Sequence, residues 1–136
     1  MHRGFLMTGF FFGATAVILG AFGAHALRQV VQPEAASAFE TGIRYQFYHT
    51  FALIVAAILY EKFPRKRILY AGYFFIAGMV LFCGSLYLLT FLKATGYVGM
   101  KSIGLVTPFG GLFFVVGWIA LFFGILKDST SFLKSV

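Results

Sequence analysis

Charge is what this 136-residue chain has least of: Asp, Glu, Lys and Arg together make up 11%, against roughly 25% in soluble domains. Only four residues are acidic, and hydrophobic residues reach 60%. A soluble fold of this size would lack the polar surface to cover itself, and the length allows one domain. There is one cysteine, Cys83, set in an apolar stretch. An intramolecular disulfide is therefore excluded, no zinc-type ligand spacing exists, and Cys83 reads as a small buried hydrophobe. Phosphate loops and dinucleotide fingerprints are absent, as is any carboxylate inside an apolar run that could orient a histidine or serine. Enzymatic activity finds no support in these residues.

What remains is apolar sequence in four stretches, at about 4–27, 45–60, 68–92 and 103–126. Each approaches the ~20 residues that cross a hydrocarbon core of about 30 Å. The second is short, but Pro33 and Glu34 suit a helix start, so 33–44 is predicted to form a helical lead-in. The fold class is all-α, an integral membrane four-helix bundle in a single domain. Met1-His2-Arg3, the apolar run and Ala24-His25-Ala26 also resemble a cleavable signal peptide. The run exceeds the usual h-region of 7–15 residues, so the first span is expected to be retained.

The net charge of +7 does not indicate nucleic acid, because the basic residues cluster at the ends of apolar runs. With four spans both termini share a side with the second loop. That side carries seven of the eleven Lys and Arg residues, including the Lys62–Arg67 cluster. Both termini are therefore expected to be cytoplasmic.

Glycines supply the packing faces. Gly9, Gly13, Ala16, Gly20 and Gly23 share one side of the first span, while Ala71, Gly78, Ser85 and Gly110, Gly117, Gly124 recur every seven residues in the last two. Small residues in such stripes let membrane helices approach closely and suit left-handed crossing near +20°. Tyrosines near span ends, Tyr60, Tyr70 and Tyr97 among them, read as interfacial anchors, whereas Trp118 is expected to pack between helices.

Polar side chains inside lipid point to function. Topology places His25, the Tyr45-Gln46-Phe47-Tyr48-His49 run, Ser85, Tyr87 and Thr90, and Thr107-Pro108 in one leaflet, from four different spans. Tyr45, Gln46 and His49 fall at i,i+4 and i,i+3 and are expected to share a face continuing to Ala52, Leu53 and Ala56. Glu40 and Arg44 are expected to pair at i,i+4. Pro108 is expected at the first turn of span four, its N–H groups facing the same region. In the candidate site for a small amphiphile such as a lipid or quinone, His25 and His49 donate or accept hydrogen bonds to the ligand, Tyr45, Gln46 and Tyr87 orient it, and Arg44 attracts an anionic head-group, beside Ser85 and Thr107. The alternatives are interhelical hydrogen bonds that only fix register, an oligomeric transporter or channel subunit, and bis-histidine haem or metal ligation. No cofactor is otherwise implied. The expected partners are membrane lipids, further copies of the chain or a larger membrane complex.

Gly20-Ala-Phe-Gly-Ala-His-Ala26, Phe39-Glu-Thr-Gly42 with Tyr45–His49, Gly84-Ser-Leu-Tyr87, and Thr107-Pro-Phe-Gly-Gly111 with Gly117-Trp118 follow one another in order. The chain thereby resembles, over nearly its whole length, the small domain-of-unknown-function membrane family that includes YgdD and YwdK. The resemblance implies a four-helix integral membrane protein of a mostly bacterial family, and so a bacterial cytoplasmic membrane; it does not say what biochemical activity the chain has.

Overall fold

Each apolar stretch becomes a helix in the computed structural model, which describes residues 1–96 and 101–126. Tyr97, Lys127, Asp128 and Lys134 lie outside the described residues. Helix α1 (Arg3–His25) starts at His2, whose Nδ1 accepts from the Phe5 N–H at 3.1 Å. That bond satisfies one of the four donors a helix start leaves open. A 3₁₀ turn, Leu27–Gln29, leads to α2 (Pro33–Lys62), with Pro33 in its first turn. The lead-in and the second span are one unbroken helix of 30 residues.

The third rod is α3 (Lys66–Gly78), a π-helical segment (Met79–Cys83) and α4 (Gly84–Ala94) in continuous succession. The last is α5 (Lys101–Leu126). Span four therefore does not open at Thr107-Pro108: Pro108 lies inside α5, whose start is six residues, about 9 Å, before Thr107. Proline has no N–H for the Gly104 carbonyl, a loss tolerated within membrane helices. The N–H groups at the start of α5 are thus not aimed at Thr107.

Helix α1 packs along α2, α2 along α3 and α4, and these along α5. The glycine stripes make the contact of α1 with α2 and that of the third rod with α5. On α1, Gly9, Gly13, Gly20 and Gly23 meet Ile54, Thr50, Ile43 and Phe39 of α2. In the third rod, Ile68, Phe75 and Phe82 press onto Gly124, Gly117 and Gly110 of α5, and Phe114 of α5 fills the gap left by Gly78. A bulky side chain from either helix enters a space left by glycine on the other, at heptad intervals. Dispersion and close approach, the forces available in lipid, are thereby maximised. Arg65 Nη1 donates to the Gly124 carbonyl at 3.1 Å and Arg67 Nη1 to that of Phe123 at 3.4 Å. Both carbonyls lie in the last described turn of α5.

The outer surface is apolar. Met7, Phe10, Phe11, Val17 and Ile18 of α1 are each more than 60% exposed. A water-soluble monomer rarely carries so large an apolar face; here its solvent is lipid. By length and composition three runs can cross a membrane, Arg3–Gln29, Lys66–Ala94 and Ile103–Leu126. Helix α2 is less apolar, because it carries the residues from which the interior polar contacts are built.

Candidate functional site

Gln46 is the hub of the first polar node. From α2 it donates through Nε2 to the Phe12 carbonyl at 2.8 Å and to Thr15 Oγ1 at 2.9 Å, both on α1. Its Oε1 accepts from the Tyr87 hydroxyl of α4 at 2.8 Å. Tyr87 reaches it because Gly42 leaves room: a Cβ there would lie 2.7 Å from Tyr87 Cε1. One amide therefore joins three helices.

The second node is centred on His49. Trp118 Nε1–H of α5 donates to Nε2 at 3.2 Å, which makes Nε2 the acceptor. Nδ1 then carries the proton and donates to the Tyr45 carbonyl at 2.8 Å. The ring stacks on Phe114, with centroids 3.5 Å apart and planes 12° from parallel. Both nitrogens and one ring face are occupied within the protein.

Ser85 and Thr107 share a hydrogen bond of 2.7 Å between the third rod and α5, and Ser85 also donates to the Phe82 carbonyl. Thr90 donates to the carbonyls of Ala35 and Leu86. Among the described residues no buried side-chain nitrogen or oxygen lacks a partner. These side chains satisfy one another across the helices.

Several expected groupings are not formed. Tyr45 and His49 keep the shared i,i+4 face, their rings 6.0 Å apart and both against Phe114 of α5, whereas Gln46 turns to α1 and α4 and leaves that face. A step of about 100° per residue separates Tyr45 from Gln46, and neighbours on both sides of α2 divide the run. Tyr45 is exposed, its ring against Phe82. His25 is exposed, bonded at 3.1 Å to the Ala21 carbonyl of its own helix. The Gly9–Ile54 and Gly13–Thr50 contacts put His49 level with about Ala14, eleven residues or about 16 Å from His25. The two histidines are not placed to share a haem or metal. The described residues hold no group of three or more His, Cys, Asp and Glu that could bind a metal ion. Glu40 does not pair with Arg44: it is taken by Arg28, through Nη2 and through Nε at 3.0 Å. The 3₁₀ turn after α1 carries Arg28 to it, a tertiary partner that helical spacing could not show.

The ion pair borders a half-open cleft of about 460 Å³ at the end of the bundle away from Met1. Arg28, Val31, Pro33, Ala36, Ser37 and Glu40 line it. One turn further along the same side of α2 stands Arg44, exposed and with no carboxylate within 4 Å among the described residues. Below it Phe47, Phe51, Val55 and Ile58 continue as an exposed apolar strip.

Residue patterning passed over Thr15, although a hydroxyl in an otherwise apolar span is itself a signal. It also passed over Arg28, and over Trp118 as the partner of His49, which no spacing rule connects.

The family model described as "Protein of unknown function (DUF423)" matches residues 19–111. The UPF0382 membrane protein YwdK of Bacillus subtilis (strain 168) is 35% identical over 90% of this chain and 96% of its own. A UPF0382 membrane protein of Haemophilus influenzae is 35% identical over 91% of both. The UPF0382 inner membrane protein YgdD of Escherichia coli (strain K12) is 32% identical over 89% of this chain and 85% of its own. No solved structure matches. Family model, full-length relatives and a bundle of apolar helices agree: this chain is an integral membrane protein of the DUF423 (UPF0382) family.

Proposed function

We propose that this protein is a non-enzymatic membrane protein that binds an anionic amphiphile on the free side of α2. The observation that carries the reading is Arg44. Because Arg28 takes Glu40, Arg44 stands exposed without a carboxylate partner among the described residues, on a helix side that is apolar below it. The Gly20–Ile43 contact sets Arg44 level with about Leu19, six residues or about 9 Å inside His25. A cation at that depth needs an anion or must snorkel to water, and an anionic head-group answers the need directly. Acyl chains would lie on Phe47, Phe51, Val55 and Ile58. With both termini on the cytoplasmic side, as the Lys62–Arg67 cluster favours, the site lies in the outer leaflet.

His49, Gln46, Ser85 and Thr107 then serve as the scaffold that orients α2, and Tyr45 borders the site. The polar contacts are closed within each chain, so a transport path through one bundle has no support from the geometry. The test is native mass spectrometry of protein extracted in mild detergent. Wild-type chains are expected to retain one phospholipid each, and Arg44→Gln is expected to lose it with an unchanged thermal midpoint. Equal retention by Arg44→Gln sinks the reading.

A further inference from the structure

The cleft above Arg44 presents more than a positive charge. Both contacts from Arg28 fall on the same Glu40 oxygen, Oε1. Oε2 makes no hydrogen bond among the described residues, and Glu40 lines the cleft together with Ser37. A carboxylate oxygen is an acceptor only, so it calls for a ligand hydroxyl or ammonium. Charge decides between them. Arg28 and Glu40 cancel, which leaves Arg44 as a net single positive charge on this side of α2. Glu34, the nearest further acid in sequence, does not line the cleft. A ligand with one phosphodiester charge brings the assembly to neutrality, whereas a zwitterion leaves the Arg44 charge uncompensated where the dielectric falls.

We infer that the ligand is a monoanionic phosphodiester lipid whose head-group bears free hydroxyls, as phosphatidylglycerol does. The phosphate lies between Arg28 and Arg44, and the terminal hydroxyls donate to Glu40 Oε2 and meet Ser37. Arg28 has donors to spare, because only Nε and Nη2 hydrogen-bond to Glu40. This assignment rests on the amphiphile reading above and can fail without it.

The experiment presents purified full-length protein with four lipids of matched acyl chains: phosphatidylglycerol, phosphatidylmethanol, phosphatidylethanolamine and phosphatidylcholine. Retention is read by native mass spectrometry. Phosphatidylglycerol is expected to exceed the two zwitterions about tenfold and phosphatidylmethanol, which has the charge but no hydroxyls, about threefold. Glu40→Ala is expected to erase the difference between the two anionic lipids, and to raise phosphatidylmethanol by releasing Arg28. Glycerophosphoglycerol, the head-group without chains, is expected not to be retained; retention equal to that of the lipid would mean a soluble phosphodiester is the ligand and overturn the assignment. Equal binding of the two anionic lipids by wild type overturns the hydroxyl readout and leaves the anionic site standing. Phosphatidylethanolamine matching phosphatidylglycerol overturns the charge argument. Retention of no phospholipid at all removes both proposals together.

Discussion

At the scale of residues, the interior polar groups divide by how completely they are satisfied. Gln46 makes three side-chain hydrogen bonds to two other helices. Interhelical bonds in membranes average about 0.6 kcal/mol, so the set contributes about 2 kcal/mol. Replacement by Leu also strands the Tyr87 hydroxyl. Gln46→Leu is expected to destabilise the protein by about 2 kcal/mol in reversible unfolding in mixed micelles, and Gln46→Glu by more, since a carboxylate cannot donate to the Phe12 carbonyl. His49 can be read by light, because Trp118 is the one tryptophan. His49→Phe keeps a ring to stack on Phe114 and removes the acceptor for the indole N–H. The emission of Trp118 is expected to move to shorter wavelength; an unchanged spectrum would mean the bond is not made in solution. Sequence reasoning singled out Gln46 and His49 by their cost in lipid, and both are buried at helix contacts. It could not assign their partners. Thr15 and Trp118 lie 31 and 69 residues away, and only the crossing of helices brings them near.

At the scale of elements, glycine spacing was the most legible feature of the chain. The stripes at Gly110, Gly117, Gly124 and at Ala71, Gly78, Ser85 lie in one interface, with Gly110, Gly117 and Gly124 each met by a bulky side chain of the third rod and Gly78 by Phe114, because every seventh residue returns to one side of a helix. What spacing could not tell is how near the backbones come. A Cβ on Gly110 would lie 2.4 Å from the Phe82 backbone nitrogen in the π segment, where no rotamer change relieves it. Gly110→Ala is therefore expected to separate α5 from the third rod, at a cost of at least about 1–3 kcal/mol. Gly84 is the control, since a Cβ there meets nothing within 4 Å. In mid-helix Gly84→Ala is expected to stabilise by up to about 1 kcal/mol. If both variants shifted the unfolding midpoint alike, close packing at Gly110 would not be what holds α5. Helix starts were less legible. Pro108 signals a first turn by propensity, but the apolar Ile103–Val106 extends the helix ahead of it, and the cost of one missing N–H does not end a membrane helix. The Glu40–Arg44 pair failed for a related reason: a favourable i,i+4 contact contributes a few tenths of a kcal/mol, and a two-nitrogen contact from Arg28 outweighs it.

At the scale of the molecule, the two ends of the bundle differ in kind, and the difference can be tested as topology. One end gathers the Met1 amine at 3.6 Å from Glu61, the His2 N–H on the Ala57 carbonyl at 3.0 Å, and Arg65 and Arg67 on the end of α5. The other holds the cleft with Arg28 and Glu40. The excess of Lys and Arg in the segments on the Met1 side favours the cytoplasm at that end, through the positive-inside rule. The single cysteine, Cys83, is buried at the packing face of the third rod and offers little background to a water-soluble thiol reagent. Gln32→Cys, before α2, and Lys66→Cys, at the start of α3, replace exposed residues at opposite ends. In intact cells a membrane-impermeant maleimide is expected to label Gln32→Cys alone, and Lys66→Cys only after the membrane is opened. The reverse pattern would turn the bundle over and move the lipid site to the cytoplasmic leaflet, leaving its chemistry as described. Labelling of both in intact cells would place α2 across less than a full bilayer. That outcome would break the four-span arrangement at the helix whose polar content makes it the least apolar of the four, so α2 is where the topology is decided.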